Sequence, residues 1–170
     1  MPLVILNGAS GAGKTTIAEA IDNLPAQAID VVYQDRAAPP PSTAKMIEIF
    51  GSPEAWQKAV IFDLIARLAP DLAKGRCILF DCQSRFSHLT QAAERCGISD
   101  YTIMLIDCDD ETRTRRLSLD RDQAELATAD MMNWAHYLRS QATAQGYEIL
   151  DTSNLTVEQS VDRVLSLLRQ

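Results

Sequence analysis

The sequence has no excess of positive charge. Lysine occurs only four times, against twelve arginines, and the 16 basic residues are outnumbered by 23 acidic ones, which gives the 170-residue chain a formal net charge of −7. A nucleic-acid-binding domain usually carries a basic stripe that neutralises phosphates, so this balance disfavours such a partner. We therefore expect no binding of nucleic acid.

Long apolar runs and metal-binding cysteine pairs are also missing. The apolar run at 3–6 is too short for a secretion signal, and no run approaches the roughly 20 residues of a membrane-spanning helix. The four cysteines form no C-x-x-C pair and there are only two histidines, which disfavours a structural zinc site. Reduced cysteines within apolar segments are typical of cytoplasmic proteins. We expect a cytoplasmic protein with no membrane partner.

Short apolar runs alternate along the chain with segments of helical periodicity. The runs predict strands at 3–6, 28–33, 77–80, 102–106 and 147–150, with helices between them and after the last. Such alternation is typical of a parallel sheet covered by helices on both faces. Because 170 residues suffice for one well-buried core but not for two ordinary domains, we expect a single α/β domain over 1–170. Its architecture would be a three-layer α/β/α sandwich with a five-stranded parallel sheet.

Proline shapes the predictions between the second and third strands. Residues 37–45 read AAPPPSTAK and predict no regular structure, because proline cannot donate a backbone hydrogen bond. Ser52 followed by Pro53 predicts a helix start. Pro70 is expected to kink or restart this helix, and Gly75 to end it.

The most specific pattern in the chain is Gly8-x-x-x-x-Gly13-Lys14-Thr15, which a predicted strand precedes and a predicted helix follows. Small residues let consecutive backbone N–H groups approach phosphate oxygens, and the helix dipole favours the same anion. In this pattern the lysine reaches the β- and γ-phosphates and the threonine hydroxyl binds Mg²⁺. The residues predicted to bind the nucleotide are Gly8, Ala9, Ser10, Gly11, Ala12, Gly13, Lys14, Thr15 and Thr16.

With this loop, the chain resembles the P-loop kinases of nucleoside monophosphates and small metabolites, which include adenylate, shikimate and gluconate kinases and chloramphenicol phosphotransferase. The resemblance spans the full length in element order and size. It implies an ATP- and Mg²⁺-dependent phosphotransferase that moves the γ-phosphoryl group of ATP to a hydroxyl or phosphate of a small-molecule acceptor. It also implies an acceptor-side insertion at about 36–75 and a short lid at about 120–130. Because no N-K-x-D guanine motif occurs, we expect ATP rather than GTP.

Two aspartates at predicted strand ends are candidates for metal and proton chemistry. Asp81 follows the strand at 77–80, where P-loop proteins place an acid that holds Mg²⁺ directly or through water. Asp35 follows the strand at 28–33, and the resemblance to shikimate and gluconate kinases implies that it orients the acceptor hydroxyl or takes its proton. Simpler roles are open for both, Asp81 as a cap and Asp35 as the start of a turn. Which of the two is the main acid at the metal also stays open.

Residues after the second and third strands are candidates for acceptor binding, namely Asp35, Arg36, Gln83 and Arg85. The stretch ILFDCQSRF resembles the ILLDGFPR stretch of adenylate kinases, in which the arginine matching Arg85 binds acceptor phosphate. Here Cys82-Gln83-Ser84 replaces Gly-Phe-Pro. A nucleoside monophosphate needs several phosphate-binding arginines, and only Arg36 and Arg85 are suitably placed. We therefore favour a hydroxyl compound, such as a sugar, sugar acid or antibiotic, over a nucleoside monophosphate.

Four arginines crowd together at positions 113, 115, 116 and 121. When the segment is matched to adenylate kinases on the Asp-Glu pair at 110–111, Arg116 falls on the arginine that lies against adenine. Arg121 falls near the lid arginine that clamps phosphates, so it is a predicted catalytic residue together with Lys14 and Asp35. Arg113 and Arg115 lie on a helix predicted at 109–119 and fit either an anion site or a solvated basic face.

A function of another class is open as well, a regulatory ATPase or nucleotide-dependent switch. Gln83 follows Asp81 by two positions and is a candidate for positioning a water molecule, the role that a glutamine has in some GTPases. Such a protein would hydrolyse ATP without an acceptor, whereas a kinase keeps water from the γ-phosphate. The sequence does not specify an oligomeric state.

Overall fold

A computed structural model describes residues 3–25, 28–120 and 122–169. Its strands form one parallel sheet in the order β2-β3-β1-β4-β5. Their bounds are β1 Leu3–Asn7, β2 Ile29–Tyr33, β3 Cys77–Asp81, β4 Tyr101–Asp107 and β5 Glu148–Asp151. The central strand β1 is buried at every position, as expected for a parallel strand covered on both faces. All the strands predicted from apolar runs are confirmed, with ends that shift by at most one residue.

Helices cover both faces of the sheet. Their bounds are α1 Lys14–Asp22, α2 Gln34–Ala37, α3 Thr43–Phe50, α4 Pro53–Ala73, α5 Phe86–Arg95, α6 Asp110–Arg115, α7 Ala129–Gln145 and α8 Val157–Leu168. Apolar residues of α4, α5 and α7 pack with Leu3 and Ile5 on one face, and those of α1 and α8 pack with Val4 and Leu6 on the other. The predicted three-layer α/β/α sandwich is therefore confirmed. In the described part of the chain, no helix combines the length and the apolar character needed to cross a membrane.

Two predictions about proline-containing segments were wrong in part. The stretch at 37–45 is not wholly irregular, because α3 begins at Thr43 and the side chain of Ser42 caps it by accepting a hydrogen bond from the backbone N–H of Lys45. Pro70 does not restart the helix in which it lies, since α4 runs from Pro53 to Ala73 as one element. Proline removes a single backbone hydrogen bond there, while buried Leu64 and Leu68 anchor the helix on the sheet.

The helix predicted at 109–119 is divided in the structure. The α-helical part, α6, ends at Arg115, and the chain continues as a π-helical turn over Arg116–Asp120. A short 3₁₀ turn at Ala124–Leu126 precedes α7. Turns of the π type are frequent at functional sites.

Candidate functional site

The glycine-rich loop passes close to β4 between the end of β1 and the start of α1. A Cβ atom on Gly8 would lie 2.2 Å from the carbonyl oxygen of Ile106, so this position accepts no side chain. Gly11 and Gly13 have φ angles of +79° and +99°, which glycine adopts at little cost. The loop is thus shaped for backbone N–H groups to point at an anion, and it leads into the N-terminus of a nine-residue helix.

Lys14 and Thr15, the first residues of α1, present their side chains at this loop. The Lys14 ammonium group is largely buried and donates a 3.3 Å hydrogen bond to the carbonyl of Ala9. The Thr15 hydroxyl donates a 2.7 Å hydrogen bond to Asp81 Oδ2 at the end of β3. Parallel pairing of Leu6 with Asp81 brings these elements together. A hydroxyl beside a carboxylate is an all-oxygen donor set of the kind that Mg²⁺ prefers, so these two residues fit that ion.

Arg113 has a place that the sequence analysis missed. Its side chain is fully buried, donating to the Ser10 carbonyl at 2.7 Å and to Asp107 Oδ1 at 2.5 Å. Asp107 also accepts a 2.6 Å hydrogen bond from Arg139, which pairs with Asp151 as well, so this buried carboxylate contacts two guanidinium groups. The interpretation of Arg113 as part of a solvated basic face was wrong. The available signal was Asp107, since a strand-end carboxylate beside a buried loop needs a partner.

Arg116 extends this support along the loop. It donates to the carbonyls of Gly11 and Ala12 at 3.4 and 3.3 Å, and to the hydroxyl and carbonyl of Thr152 at 2.8 and 2.9 Å. The Thr152 hydroxyl itself lies 2.8 Å from the Ala12 carbonyl. Three successive loop carbonyls, those of Ser10, Gly11 and Ala12, are therefore held by arginines of the segment 113–116. This arrangement leaves the opposite side of the loop to its N–H groups.

Two cavities adjoin the loop on different sides. The larger, of about 230 Å³, is lined by Gly11, Gly13, Thr16, Arg116, Thr152 and Leu155, among others. The smaller, of about 90 Å³, is lined by residues that include Lys14, Thr15, Asp35, Arg36, Asp81 and Gln83. The smaller cavity brings most of the predicted catalytic, metal and acceptor residues together, because the carboxyl ends of β2, β3 and β1 are neighbours.

Polar contacts fix the wall of the smaller cavity. Buried Gln34 accepts a 3.0 Å hydrogen bond from the backbone N–H of Gln83, whose side-chain oxygen accepts one of 3.3 Å from the Ser10 hydroxyl. Asn7 and Ser84 exchange two hydrogen bonds of 2.8 and 2.9 Å. The turn after β3 is therefore tied to both β1 and the glycine-rich loop. Sequence reasoning did not predict the roles of Gln34 and Asn7.

Cys82, in the wall of the smaller cavity, is suited to a structural role rather than a reactive one. Cys82 is buried, and burial together with the neighbouring Asp81 carboxylate raises the pKa of its thiol well above the ordinary value. A thiol that stays protonated is a weak nucleophile. The smaller cavity is therefore suited to proton and phosphate chemistry rather than to thiol chemistry.

The remaining predicted arginines differ in their surroundings. Arg36 forms an ion pair with Glu19 on α1 and lies 3.9 Å from the centre of the Tyr33 ring. Burial and the Asp22 carboxylate raise the pKa of Tyr33 to about 12, so the ring below Arg36 stays neutral. Arg85 does not line the smaller cavity and pairs with Glu54 on α4. Arg121 lies outside the described residues.

Comparison with known proteins gives likenesses of fold. No family model matches the sequence, and no curated protein matches it either. Among solved structures, a sugar kinase from Janibacter sp. is 19% identical with a TM-score of 0.70, covering 99% of this chain and 95% of that one. A gluconokinase from Sinorhizobium meliloti is 16% identical with a TM-score of 0.67, covering 98% and 90%.

A shikimate kinase from Acinetobacter baumannii, solved with shikimate, is 12% identical with a TM-score of 0.65 and covers 99% of this chain and 93% of its own. All three likenesses extend over nearly the whole of both chains, at identities too low to carry a substrate across. The fold expected from the resemblance is confirmed. In its architecture, this chain is similar to the P-loop kinases of small molecules.

Proposed function

We propose that this chain is an ATP- and Mg²⁺-dependent phosphotransferase that moves the γ-phosphoryl group of ATP to a small-molecule acceptor. The observation that carries the proposal is the pair of cavities on different sides of the glycine-rich loop. One has Arg116 and Thr16 in its wall and the other has Lys14, Asp35 and Asp81. This arrangement suits a donor nucleotide on one side and an acceptor on the other.

On the donor side, the backbone of Gly8 to Thr16 would hold the phosphates of ATP, and Arg116 would lie beside the base. Thr15 and Asp81, which already share a 2.7 Å hydrogen bond, would hold Mg²⁺. When bound, Mg²⁺ supplies neutralisation of the charge on the β- and γ-phosphates. Lys14 contributes a positive charge at the same place, and we propose Arg121 as a further cation for the transferring group.

On the acceptor side, Asp35 would act as the catalytic base. The acceptor hydroxyl oxygen forms a bond to the γ-phosphorus, the bond from that phosphorus to the bridging oxygen of ADP breaks, and the hydroxyl proton passes to the Asp35 carboxylate. Gln83 and Arg36 line the same cavity and would orient the acceptor, while Arg85 lies at the following turn. The kinases of similar fold are named for a sugar, shikimate and gluconate, which supports a small molecule as acceptor.

The remaining expectations fit this proposal. The cysteines at 77, 82, 96 and 108 are all free thiols, which agrees with the cytoplasmic location that we propose. We propose neither a nucleic-acid nor a membrane partner.

An acceptor screen tests the proposal. The purified chain with ATP and Mg²⁺ is incubated with nucleosides, nucleoside monophosphates, sugars, sugar acids and aminoglycosides, and the release of ADP and the transfer of labelled phosphate are followed. We expect slow turnover with ATP alone and a clear increase with one acceptor class, absent in the Lys14→Ala variant. Brisk hydrolysis that no acceptor changes would contradict a kinase and favour the ATPase in which Gln83 positions water.

A further inference from the structure

Arg36 and Arg85, the two arginines that were candidates for binding an anionic acceptor, each form an ion pair with a glutamate. For Arg85, Nε lies 3.0 Å from Glu54 Oε1 and Nη2 donates to Glu54 Oε2 at 3.3 Å. Two parallel contacts between a guanidinium and a carboxylate form the strongest kind of side-chain ion pair, and their fork geometry leaves fewer donors for another anion.

Two aromatic rings of α7 hold Arg85 from another side. The guanidinium carbon lies 4.8 Å from the centre of the Tyr137 ring and 5.7 Å from that of Trp134. These rings are stacked on each other at 5.4 Å. Arg85 would have to leave both the carboxylate and the rings in order to reach an acceptor in the smaller cavity, which it does not line.

The charge of Arg36 is compensated as well. Its guanidinium contacts Glu19 and lies over the Tyr33 ring. Arg36 is the more exposed of the two arginines, with 58% of its side chain exposed against 31% for Arg85, while the side chains of Glu19 and Glu54 are 48% and 58% exposed. Exposed groups are held less firmly by their partners. Arg85, which has two contacts with Glu54 and lies over two aromatic rings, is therefore the arginine held most firmly at this end of the site.

The acceptor cavity has two carboxylates and two cations in its described lining. The carboxylates are those of Asp35 and Asp81, and the cations are Lys14 and Arg36, of which Arg36 is already paired with Glu19. Lys14 belongs to the phosphate-binding loop. An acceptor phosphate or carboxylate near Asp35 would meet a like charge, whereas a hydroxyl or an ammonium group would find a hydrogen-bond partner.

Resting on the proposed kinase function, we propose that the acceptor is an uncharged or positively charged hydroxyl compound without phosphate or carboxylate groups. Glu54 is the residue that determines this specificity, because it keeps Arg85 on the aromatic pair and away from the acceptor. The resemblance of the stretch around Arg85 to adenylate kinases implies that this arginine binds an acceptor phosphate. The preference proposed here differs from that implication.

Matched acceptors test the substrate class. Each scaffold is supplied in four forms, for example glucose, glucosamine, gluconate and glucose 6-phosphate, and the transfer of phosphate from ATP is measured. We expect transfer to neutral or amino forms only. Efficient transfer to an acid or phosphate form would overturn this inference while leaving the proposed function intact, and brisk hydrolysis without transfer to any form would overturn both.

A binding experiment gives a result even where the panel misses the natural acceptor. The chain is saturated with a non-hydrolysable ATP analogue and Mg²⁺, and its melting temperature is followed as glucose 6-phosphate or gluconate is added. We expect no shift for the wild-type chain and a clear shift in Glu54→Gln, equivalent to a gain in affinity of about tenfold or more, because Arg85 then keeps only its contacts with the two rings. Glu94→Gln, an exposed change of equal charge on α5, should behave as the wild type. Anion binding by the wild-type chain, or no gain in Glu54→Gln, would overturn the role of Glu54.

Discussion

The buried side chain of Arg113 donates a 2.7 Å hydrogen bond to the backbone carbonyl of Ser10, a residue 103 positions earlier in the chain. This contact turns one carbonyl of the glycine-rich loop away from the site that the N–H groups of the loop would line. Arg116 does the same for the carbonyls of Gly11 and Ala12. The loop therefore depends on the segment after β4 for its shape, and nucleotide affinity should depend on the same segment.

Replacing Arg113 tests this dependence. In Arg113→Met, buried Asp107 keeps its contact with Arg139 but loses its contact with the fully buried guanidinium of Arg113. Breaking a buried ion pair costs about 3–5 kcal/mol. We expect the free energy of unfolding in urea to fall by that order and the affinity for ATP to fall with it. Arg115→Met, an exposed change on the same helix, should alter neither quantity.

The variant Arg113→Lys separates the support of the loop from stability in general. Lysine retains the positive charge beside Asp107 but lacks the fork that reaches the Ser10 carbonyl at the same time. We expect a smaller loss of stability than in Arg113→Met and a clear loss of ATP affinity by calorimetry. Equal ATP affinity in Arg113→Lys and the wild type would show that Arg113 does not shape the loop.

Gly8 tests the close approach of the loop to β4. An alanine Cβ there would lie 2.2 Å from the carbonyl oxygen of Ile106, so the backbone must move. We expect Gly8→Ala to lose about 4 kcal/mol or more of unfolding free energy, in the range of the most damaging substitutions. Gly97 has a φ of +67° with nothing near its Cβ position, so Gly97→Ala should cost only the backbone strain of about 1–2 kcal/mol. Similar losses in both variants would mean that the contact with Ile106 is unimportant.

Features that follow from the position of a residue along one strand could be predicted from the sequence. Apolar runs located the sheet, and Asp81 could be placed near Thr15 because parallel strands end at one edge. The contact between Arg113 and Ser10 was not predictable, because it depends on which strands become neighbours and on burial of a charged side chain. The pairing of Arg85 with Glu54 was missed for the same reason, since α4 and α5 meet only in the folded chain.

A buried histidine predicts how stability changes with pH. His88 is buried near Ser84 and Glu54, and burial lowers its pKa below the ordinary value of 6.5, while Glu54 opposes and Lys58 and Arg85 add to this shift. The unfolded chain therefore binds the proton more readily, and stability that is present above about pH 6.5 is lost as the pH falls towards the folded pKa. We expect the free energy of unfolding to decrease from pH 7.5 to 5.5.

Two variants test whether His88 causes this decrease. In His88→Gln, the loss of unfolding free energy between pH 7.5 and 5.5 should become smaller, because the depressed titration is removed. In Gln91→Ala, an exposed change on the same helix that involves no titrating group, the loss should remain as in the wild type. An unchanged pH dependence in His88→Gln would show that other groups cause it.

Asp81→Asn distinguishes the two candidate acids at the metal. Asparagine keeps the hydrogen bond with Thr15 but removes the negative charge that favours a divalent cation. We expect weaker Mg²⁺-dependent binding of ATP in titrations at several Mg²⁺ concentrations, with little change when Mg²⁺ is absent. If Asp35→Asn weakens Mg²⁺-dependent binding and Asp81→Asn does not, Asp35 is the acid that holds the metal.

Asp35→Asn tests the proposed catalytic base. The amide has nearly the shape of the carboxylate but cannot accept the hydroxyl proton, and loss of a general base typically lowers the rate by about 10²–10⁴-fold. Asp35 lines the smaller cavity and not the larger one, so ATP affinity should remain close to that of the wild type. The measurement compares single-turnover transfer to the acceptor with ATP binding by calorimetry, and Asp63→Asn, an exposed change on α4, serves as the control. Transfer at the wild-type rate by Asp35→Asn would dismiss Asp35 as the base, because loss of the group that accepts the proton must lower the rate of transfer.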